Sequence, residues 1–529
     1  MRTWTLGRFL GRWPGEPTFA AHCPPYLDGY LPLVAETPSG NFLQRTDAAP
    51  TRPIEISLAG TSIRLDPGDE ATLFLRTFDD VEVQLALHRF SWLPLLGVKA
   101  DPAWVVAIWG AWANDYAEPN DGWAWHPYTA AERAINILAF ARDNGLPGPV
   151  DKTLSVLAVH GPAIAARLEY FGDHHTSNHL ANNGRGLFLL GLTLGLPRCT
   201  ELGGRILIEE AKRIFAPSGI LREGSSHYHA LLALNYEQCA QAAEKAGRSE
   251  LAALSNVARR AREVLGCLTL PGGLPLIGDI SPDLSPEDVL KNVEVLENGK
   301  IDALAPDGWH RFDRGPWSGL WHASPDGFSQ MPGHGHQDCG GFELHFGDEV
   351  IFVDPGRGTY GETGDAAIYR SGRVHNTVLI DDADPYPPNK PYYDETFRRY
   401  MGGPAPRIVQ DQQSISLTHD GFRRLKGVGT VHRHWHFTPT LMTIKDSAEG
   451  RGSHHISRIL VTPLTVSRNE DGVILHGQKQ TFRLISDGDV TIDSITRWTA
   501  YGRGIPATAI QITNGVCLPW SGTLTLEVI

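Results

Sequence analysis

The stretch GFELHFGDEVIFVD, residues 341–354, places Phe342, Leu344 and Phe346 on one face of an extended chain, turns at Gly-Asp-Glu, and resumes with VIFVD. Apolar side chains at every second position, broken by a turn, predict a β-hairpin with one face buried. From about residue 305 onward the same period of two recurs in HNTVLIDD, SISLTHDGF, VHRHWHFTP, HHISRILVTPLTV, TFRLISDGDVTI and GTLTLEVI. Short strands at this spacing, separated by turn residues, predict a large antiparallel β-sandwich over 304–529. Upstream the period is different. AWVVAIWGAWANDYAE, AAERAINILAFARDNG, KTLSVLAVHGPAIAARLEYFG, SNHLANNGRGLFLLGLTLG, ELGGRILIEEAKRIFA, SSHYHALLALNYEQCAQAAEKAG and ELAALSNVARRAREVLGCL each carry an apolar stripe at helical spacing, within 101–303. Short Gly- or Pro-containing turns between them favour antiparallel helical hairpins. Helices first and sheet second makes an α+β multidomain chain with segregated domains. Residues 1–100 are mixed, proline-rich, and contain alternating pieces such as VEVQLALHRF.

A chain of 529 residues exceeds one ordinary core. The net charge of −13 argues against a general nucleic-acid binder, while leaving room for an acidic substrate in a locally basic site. No apolar run reaches the ~20 residues a membrane helix needs. No leader is visible at the start, so the chain as written is expected to be cytoplasmic, with a periplasmic place open. The six cysteines are scattered without a CxxC pair, which disfavours a disulfide framework or a thiolate zinc site. The 22 histidines are clustered instead.

Three clusters carry candidate chemistry. In FGDHHTSNHLANNGRGLFLLG, Ser177 is a candidate N-cap, and Asn178, Asn182 and Arg185 recur on one helical face beside His179. That face is either a solvated polar stripe or the wall of a cleft. His175 and His179 have the i, i+4 spacing of a metal pair, without an accompanying glutamate. In REGSSHYHALLALNY, Glu223 precedes two serines able to cap a helix, and Tyr228 lies between His227 and His229. A neighbouring cation would lower that phenol's pKa; the alternative is an interfacial aromatic between solvated histidines. In GHGHQDCGG, residues 333–341, His334 and His336 alternate on a glycine-rich segment just before the hairpin. Hairpin register puts Asp354 roughly opposite residue 342, so a site using His336 and Asp354 requires the glycines to fold the segment back. Two histidines and one carboxylate suit zinc; Asp338 is a rival for Asp354, and histidines hydrogen-bonded at a domain junction are the non-metal alternative.

WHPYTAAERAIN (125–136), SNHLANN (177–183), EGSSHYH (223–229), GHGHQDCGGFEL with VDPGRGTYG and YRSGRVHNTVLIDD (333–382) together resemble the heparinase II/III-like polysaccharide lyases, a group similar to certain alginate lyases. The resemblance implies an incomplete (α/α) toroid followed by an antiparallel β-sandwich. It implies a lyase that cleaves a uronic-acid-containing polysaccharide by β-elimination and leaves a 4,5-unsaturated uronate. By the same resemblance Asn178 helps neutralise the uronate carboxylate with His179 beside it. Tyr228 is then the acid, and also a candidate base, with His334 the second proton-transfer group. His336, Asp354 and His375 would hold a structural zinc ion. Arg133, Asn136, Asn182, Glu223 and His229 are weaker candidates for substrate contact. The rivals are an inverting glycoside hydrolase on a helical toroid and a non-catalytic, zinc-stiffened polysaccharide-binding protein.

Overall fold

The computed structural model describes residues 20–323, 333–387 and 395–529, with residues 6 and 9–11. Helices α1 (Val81–Arg89), α2 (Trp92–Leu96), α3 (Pro102–Asp115), α4 (Pro127–Asn144), α5 (Val150–Ala165), α6 (His179–Leu194), α7 (Pro197–Ile214), α8 (Ser226–Lys245) and α9 (Leu251–Leu268) form the toroid. Proline opens α3, α4 and α7, where its missing N–H costs nothing. Ser225 caps α8 by accepting from the Tyr228 N–H at 3.1 Å. At α6 the expected cap moves by one residue: Asn178 is the N-cap, without a side-chain capping bond.

The alternating stretch VEVQLALHRF forms α1, not a strand. Asp80 caps it by accepting from the Glu82 N–H, and Val83 and then Leu85 through Arg89 are buried, a helical pattern that outweighs the two-residue alternation. The first hundred residues also share the helical core. A hairpin of β2 (Ile54–Leu58) and β3 (Thr61–Leu65) contributes Ile56, Leu58, Ile63 and Leu65 to the cluster holding Trp104, Trp109, Trp112 and Leu180. A second tie is the parallel pairing of β1 (Gln44–Arg45) with β4 (Leu146–Pro147).

After a short helix α10 (Pro286–Asn292), the chain enters a four-stranded antiparallel sheet of β5 (Trp309–Arg314), β6 (Trp317–His322), β7 (Gly341–Phe346) and β8 (Glu349–Phe352). A ten-stranded sheet follows. Its strands are β9 (Val378–Ile380), β10 (Arg407–Gln410), β11 (Ser414–His419), β12 (Val428–Phe437), β13 (Leu441–Thr462), β14 (Thr465–Asn469), β15 (Gly472–His476), β16 (Thr481–Ser486), β17 (Asp489–Ala500) and β18 (Arg503–Val528). The order is β10-β11-β12-β13-β18-β16-β15-β14, with β9 against β13 and β17 against β18. Trp321, Phe342 and Phe352 of the smaller sheet and Trp435, Ile444 and Ile510 of the larger one belong to one buried cluster, which makes the two sheets a sandwich. The β7–β8 hairpin pairs Leu344 with Phe352 and Phe346 with Glu349, and the Asp354 N–H reaches Glu343 Oε2 at 3.3 Å. Asp354 therefore sits where the register placed it.

Candidate functional site

The site lies where three segments meet. The glycine-rich segment runs between the N-terminal approach to α8 and the loop after α9: the His334 N–H donates to Glu223 O (2.8 Å), and the Asp279 N–H donates to His334 O (2.8 Å). Two glycines are required by this close approach. A Cβ on Gly333 would stand 2.8 Å from Glu223 O, and one on Gly278, whose φ is +82°, would stand 2.5 Å from Gly224 O.

This threading brings His334 onto Tyr228. Their rings stack with centroids 3.6 Å apart and an interplanar angle of 5°. The Tyr228 hydroxyl meets the Tyr360 hydroxyl at 2.7 Å. Since Tyr360 Oη donates to Ile280 O (2.9 Å), the proton between the two phenols comes from Tyr228. Burial raises the Tyr228 pKa well above its ordinary value, so the histidine neighbours do not turn it into a resting phenolate. It is a protonated donor in a desolvated place.

Asn178 stands beside this pair, its backbone N–H and Nδ2 both donating to the Glu223 carboxylate (2.5 and 2.7 Å). Glu223 Oε2 is also 3.4 Å from His334 Nε2. Next along the chain, partly exposed His179 shares a proton with Glu169 through Nδ1 (2.7 Å) and packs its ring 4.8 Å from that of Tyr128. Burial disfavours the His179 imidazolium, but the Glu169 carboxylate outweighs it and holds the pKa above the usual value. Burial likewise opposes the Glu169 charge, yet His179, His126 and Asn183 bring its pKa down to about 2. It is a cationic imidazole at the rim of the cluster.

His336, Asp354 and His375 converge, with one ligand atom from each within 4.8 Å of the others. Their hydrogen bonds test whether a cation fits. His375 Nε2 faces Tyr369 O at 2.9 Å, an acceptor, so in the neutral ring Nδ1 is bare and points at Asp354 Oδ2, another acceptor, 3.1 Å away. His336 Nε2 faces Asp279 at 3.0 Å, and its Nδ1 is buried without a partner. With His375 neutral, lone pairs from three side chains meet with no donor between them, an arrangement a cation would satisfy; without a cation, a proton on His375 Nδ1 donates to Asp354 instead. In the protein alone, burial disfavours the His375 imidazolium, but Asp354 outweighs it and pushes the pKa up to about 9. Asp338 is buried nearby with Oδ2 unpartnered, but it is outside the converging set.

The remaining candidates separate. Asn178, Asn182 and Arg185 are all buried, so their helix face is not a solvated stripe. Asn182 accepts from Arg185 Nη1 (3.3 Å) and keeps Nδ2 unpartnered. Glu223 is wholly buried and holds Asn178; it faces no open space. Arg133 is not brought to the cluster. It is fully buried, donates to His160, His88 O and Ala124 O, and lies 3.9 Å from the Trp112 ring centroid. Asn136 donates to Arg89 O (2.9 Å) inside the helical core. His229 is buried between the Leu221 N–H and Ala261 O, with its pKa pushed down to about 4 by burial. His227 is buried too, at about 3 for the same reason, accepting from the Ser281 N–H (3.0 Å). Neither is the solvated histidine considered from sequence. His175 precedes α6, so it does not share a helical face with His179. Sequence reasoning passed over Asp279, Glu169 and Arg357. It also passed over Tyr360, although that residue stands inside the quoted VDPGRGTYG.

A helical toroid carrying an Asn/His/Tyr cluster at its junction with an antiparallel sandwich defines the class of protein. Residues 298–523 match the family model described as "Heparinase II/III-like, C-terminal". The sheet domain is thus similar to the C-terminal domain of the heparinase II/III-like family. No curated protein matches it in sequence. Its fold is similar to that of a crystal structure of heparinase III, with a TM-score of 0.63 at 16% identity over 86% of this chain and 78% of that one. It is also similar to heparan sulfate lyase HepC from Pedobacter heparinus, with a TM-score of 0.52 at 17% identity over 88% of this chain and 79% of that one.

Proposed function

We propose that the protein is a polysaccharide lyase that cleaves a uronic-acid-containing glycan by β-elimination. The observation that carries this is the stacked Tyr228–His334 pair, one ring from the helical domain and one from the sheet domain, with Asn178 alongside. A uronate C5 proton is a poor acid because the adjacent carboxylate is anionic. Hydrogen bonds to that carboxylate stabilise the charge that develops as the proton leaves. The Asn178 amide, one N–H of which is already held by Glu223, and the His179 imidazole are the groups that would supply them. His334 would take the C5 proton, the C5–H electron pair would form the C4=C5 double bond as the C4–O4 bond breaks, and the Tyr228 phenol would protonate O4. The elevated Tyr228 pKa supports an acid role. Glu223 and Asp279, the carboxylates touching the pair, are buried and hydrogen-bonded, which supports elimination over a two-carboxylate hydrolysis.

We take zinc as the ion for His336, Asp354 and His375, because two imidazoles and a carboxylate suit it. It would supply a fixed positive charge that braces the glycine-rich segment. The deciding experiment is incubation with uronate polymers while following the ultraviolet absorbance of the 4,5-unsaturated product. Reducing ends without that absorbance would replace the lyase with a hydrolase, and neither signal on any polymer would favour the binding-protein alternative.

A further inference from the structure

We infer that Asp279 is a positioning residue that fixes the opposite tautomers of His334 and His336, so that one carboxylate sets both the proton-transfer nitrogen and the metal-facing nitrogen. The inference rests on the lyase proposal for the role of His334, but its geometry stands separately. Asp279 Oδ2 faces His334 Nδ1 at 3.2 Å, and Oδ1 faces His336 Nε2 at 3.0 Å. Arg357 Nη1 approaches both oxygens at 3.3 and 3.4 Å. The backbone is pinned as well: the Asp279 N–H donates to His334 O (2.8 Å), and Ser225 Oγ donates to Asp279 O (2.7 Å).

An ionised carboxylate only accepts hydrogen bonds. Arg357 Nη1, within 3.4 Å of both oxygens, is the cation that pairs with this carboxylate. Both facing nitrogens must therefore carry the proton. His334 is then the Nδ1–H form; Glu223 Oε2 lies 3.4 Å from Nε2 but is not hydrogen-bonded to it and accepts from Asn178 instead, so Nε2 is left to exchange a proton with substrate. His336 is the Nε2–H form, leaving Nδ1, the buried atom without a partner, for a cation. Each assignment follows the rule that the partner of one ring nitrogen decides what the other can do. The two histidines differ by two residues in sequence and by tautomer in function, and a single side chain imposes the difference.

The test uses the full-length protein with 15N-labelled histidine at neutral pH, with His334 and His336 assigned through H334Q and H336Q. The wild-type protein, freed of metal, is expected to show His334 protonated at Nδ1 with Nε2 bare. His336 is expected to show the reverse, its Nδ1 signal shifting on addition of zinc chloride. In D279N the amide can accept from only one of the two rings. Zinc affinity should fall about 10–100-fold, and kcat should fall by a similar factor with KM within about threefold. A His334 bare at Nδ1, two histidines in the same tautomer, or a D279N that binds zinc and turns over like wild type would each overturn the inference. The tautomers are read in the wild-type protein, so a D279N that fails to fold does not remove the test. If no polymer is cleaved by wild type, the lyase proposal falls, while the nitrogen spectra and zinc affinity still judge Asp279.

Discussion

Glu223→Gln is the perturbation that separates a support role from a catalytic one most cleanly. The carboxylate is wholly buried and accepts twice from Asn178, at 2.5 Å from the backbone N–H and 2.7 Å from Nδ2. Glutamine fills the same volume but offers one acceptor oxygen and one NH2. If its oxygen keeps the backbone bond that starts α6, its amine faces Asn178 Nδ2 and two buried donors oppose each other. Losing one hydrogen bond to a charged group and stranding a buried donor costs about 2–4 kcal/mol. For a helical domain of this size that is a fall in Tm of roughly 4–16 °C. The Asn178 amide would also lose its anchor, and a displacement near 1 Å at a substrate-positioning group is worth ~100-fold in rate. The assay is a double-mutant cycle of Glu223→Gln with Asn178→Ala, read by thermal unfolding and by kcat on whichever polymer is cleaved. In the Asn178→Ala background Glu223→Gln should cost much less, giving a coupling of about 1–3 kcal/mol. Additive effects, or a Glu223→Gln protein with kcat within threefold of wild type, would refute the idea that Glu223 acts by holding Asn178.

Other perturbations follow from the same geometry. Tyr228→Phe and His334→Ala should each lower kcat at least ~100-fold while leaving the circular dichroism spectrum unchanged; near-normal turnover in either removes that residue from proton transfer. Tyr360→Phe removes the acceptor of the Tyr228 proton and should alter kcat more than KM, measured by initial rates. Elemental analysis should find about one zinc per chain, and a chelator should lower the Tm; a fully stable, metal-free protein would exclude the ion. Glu169 is depressed from 4.5 to about 2, so its contribution is present above pH ~4.5 and is lost as the pH falls toward 2. That depression corresponds to about 3 kcal/mol. Acid unfolding of Glu169→Gln should therefore depend less on pH across that window than that of wild type.

What the sequence disclosed and what it hid differ in physical kind. Periodicity located the seven longer helices of the toroid and the strand-rich half, because burial of one face is written locally in residues such as Phe342 and Leu344. The stretch from Val81 misled because a short helix with Val83 and Leu85 buried also satisfies an alternating pattern. The set of His336, Asp354 and His375 came from the family resemblance; residue type alone left Asp338 as a rival, and the hairpin register set Asp354 opposite residue 342, so the glycines had to fold the segment back. Asp279 was not legible. It lies in GGLPLIGDISP, an apolar loop with no histidine and no period, and acquires its role only when the glycine-rich segment threads between that loop and Glu223. Arg133 shows the opposite error: a cation on a motif helix that resembled a ligand contact is stacked in the tryptophan core instead.

The most direct measurement is the absorbance of 4,5-unsaturated uronate when the purified protein meets heparan sulfate, heparin, hyaluronan, chondroitin, alginate and acidic bacterial exopolysaccharides, run beside Tyr228→Phe. The proposed function predicts a rise on at least one polymer that Tyr228→Phe abolishes. Flat absorbance on every polymer, or a rise that survives Tyr228→Phe at full rate, would contradict it.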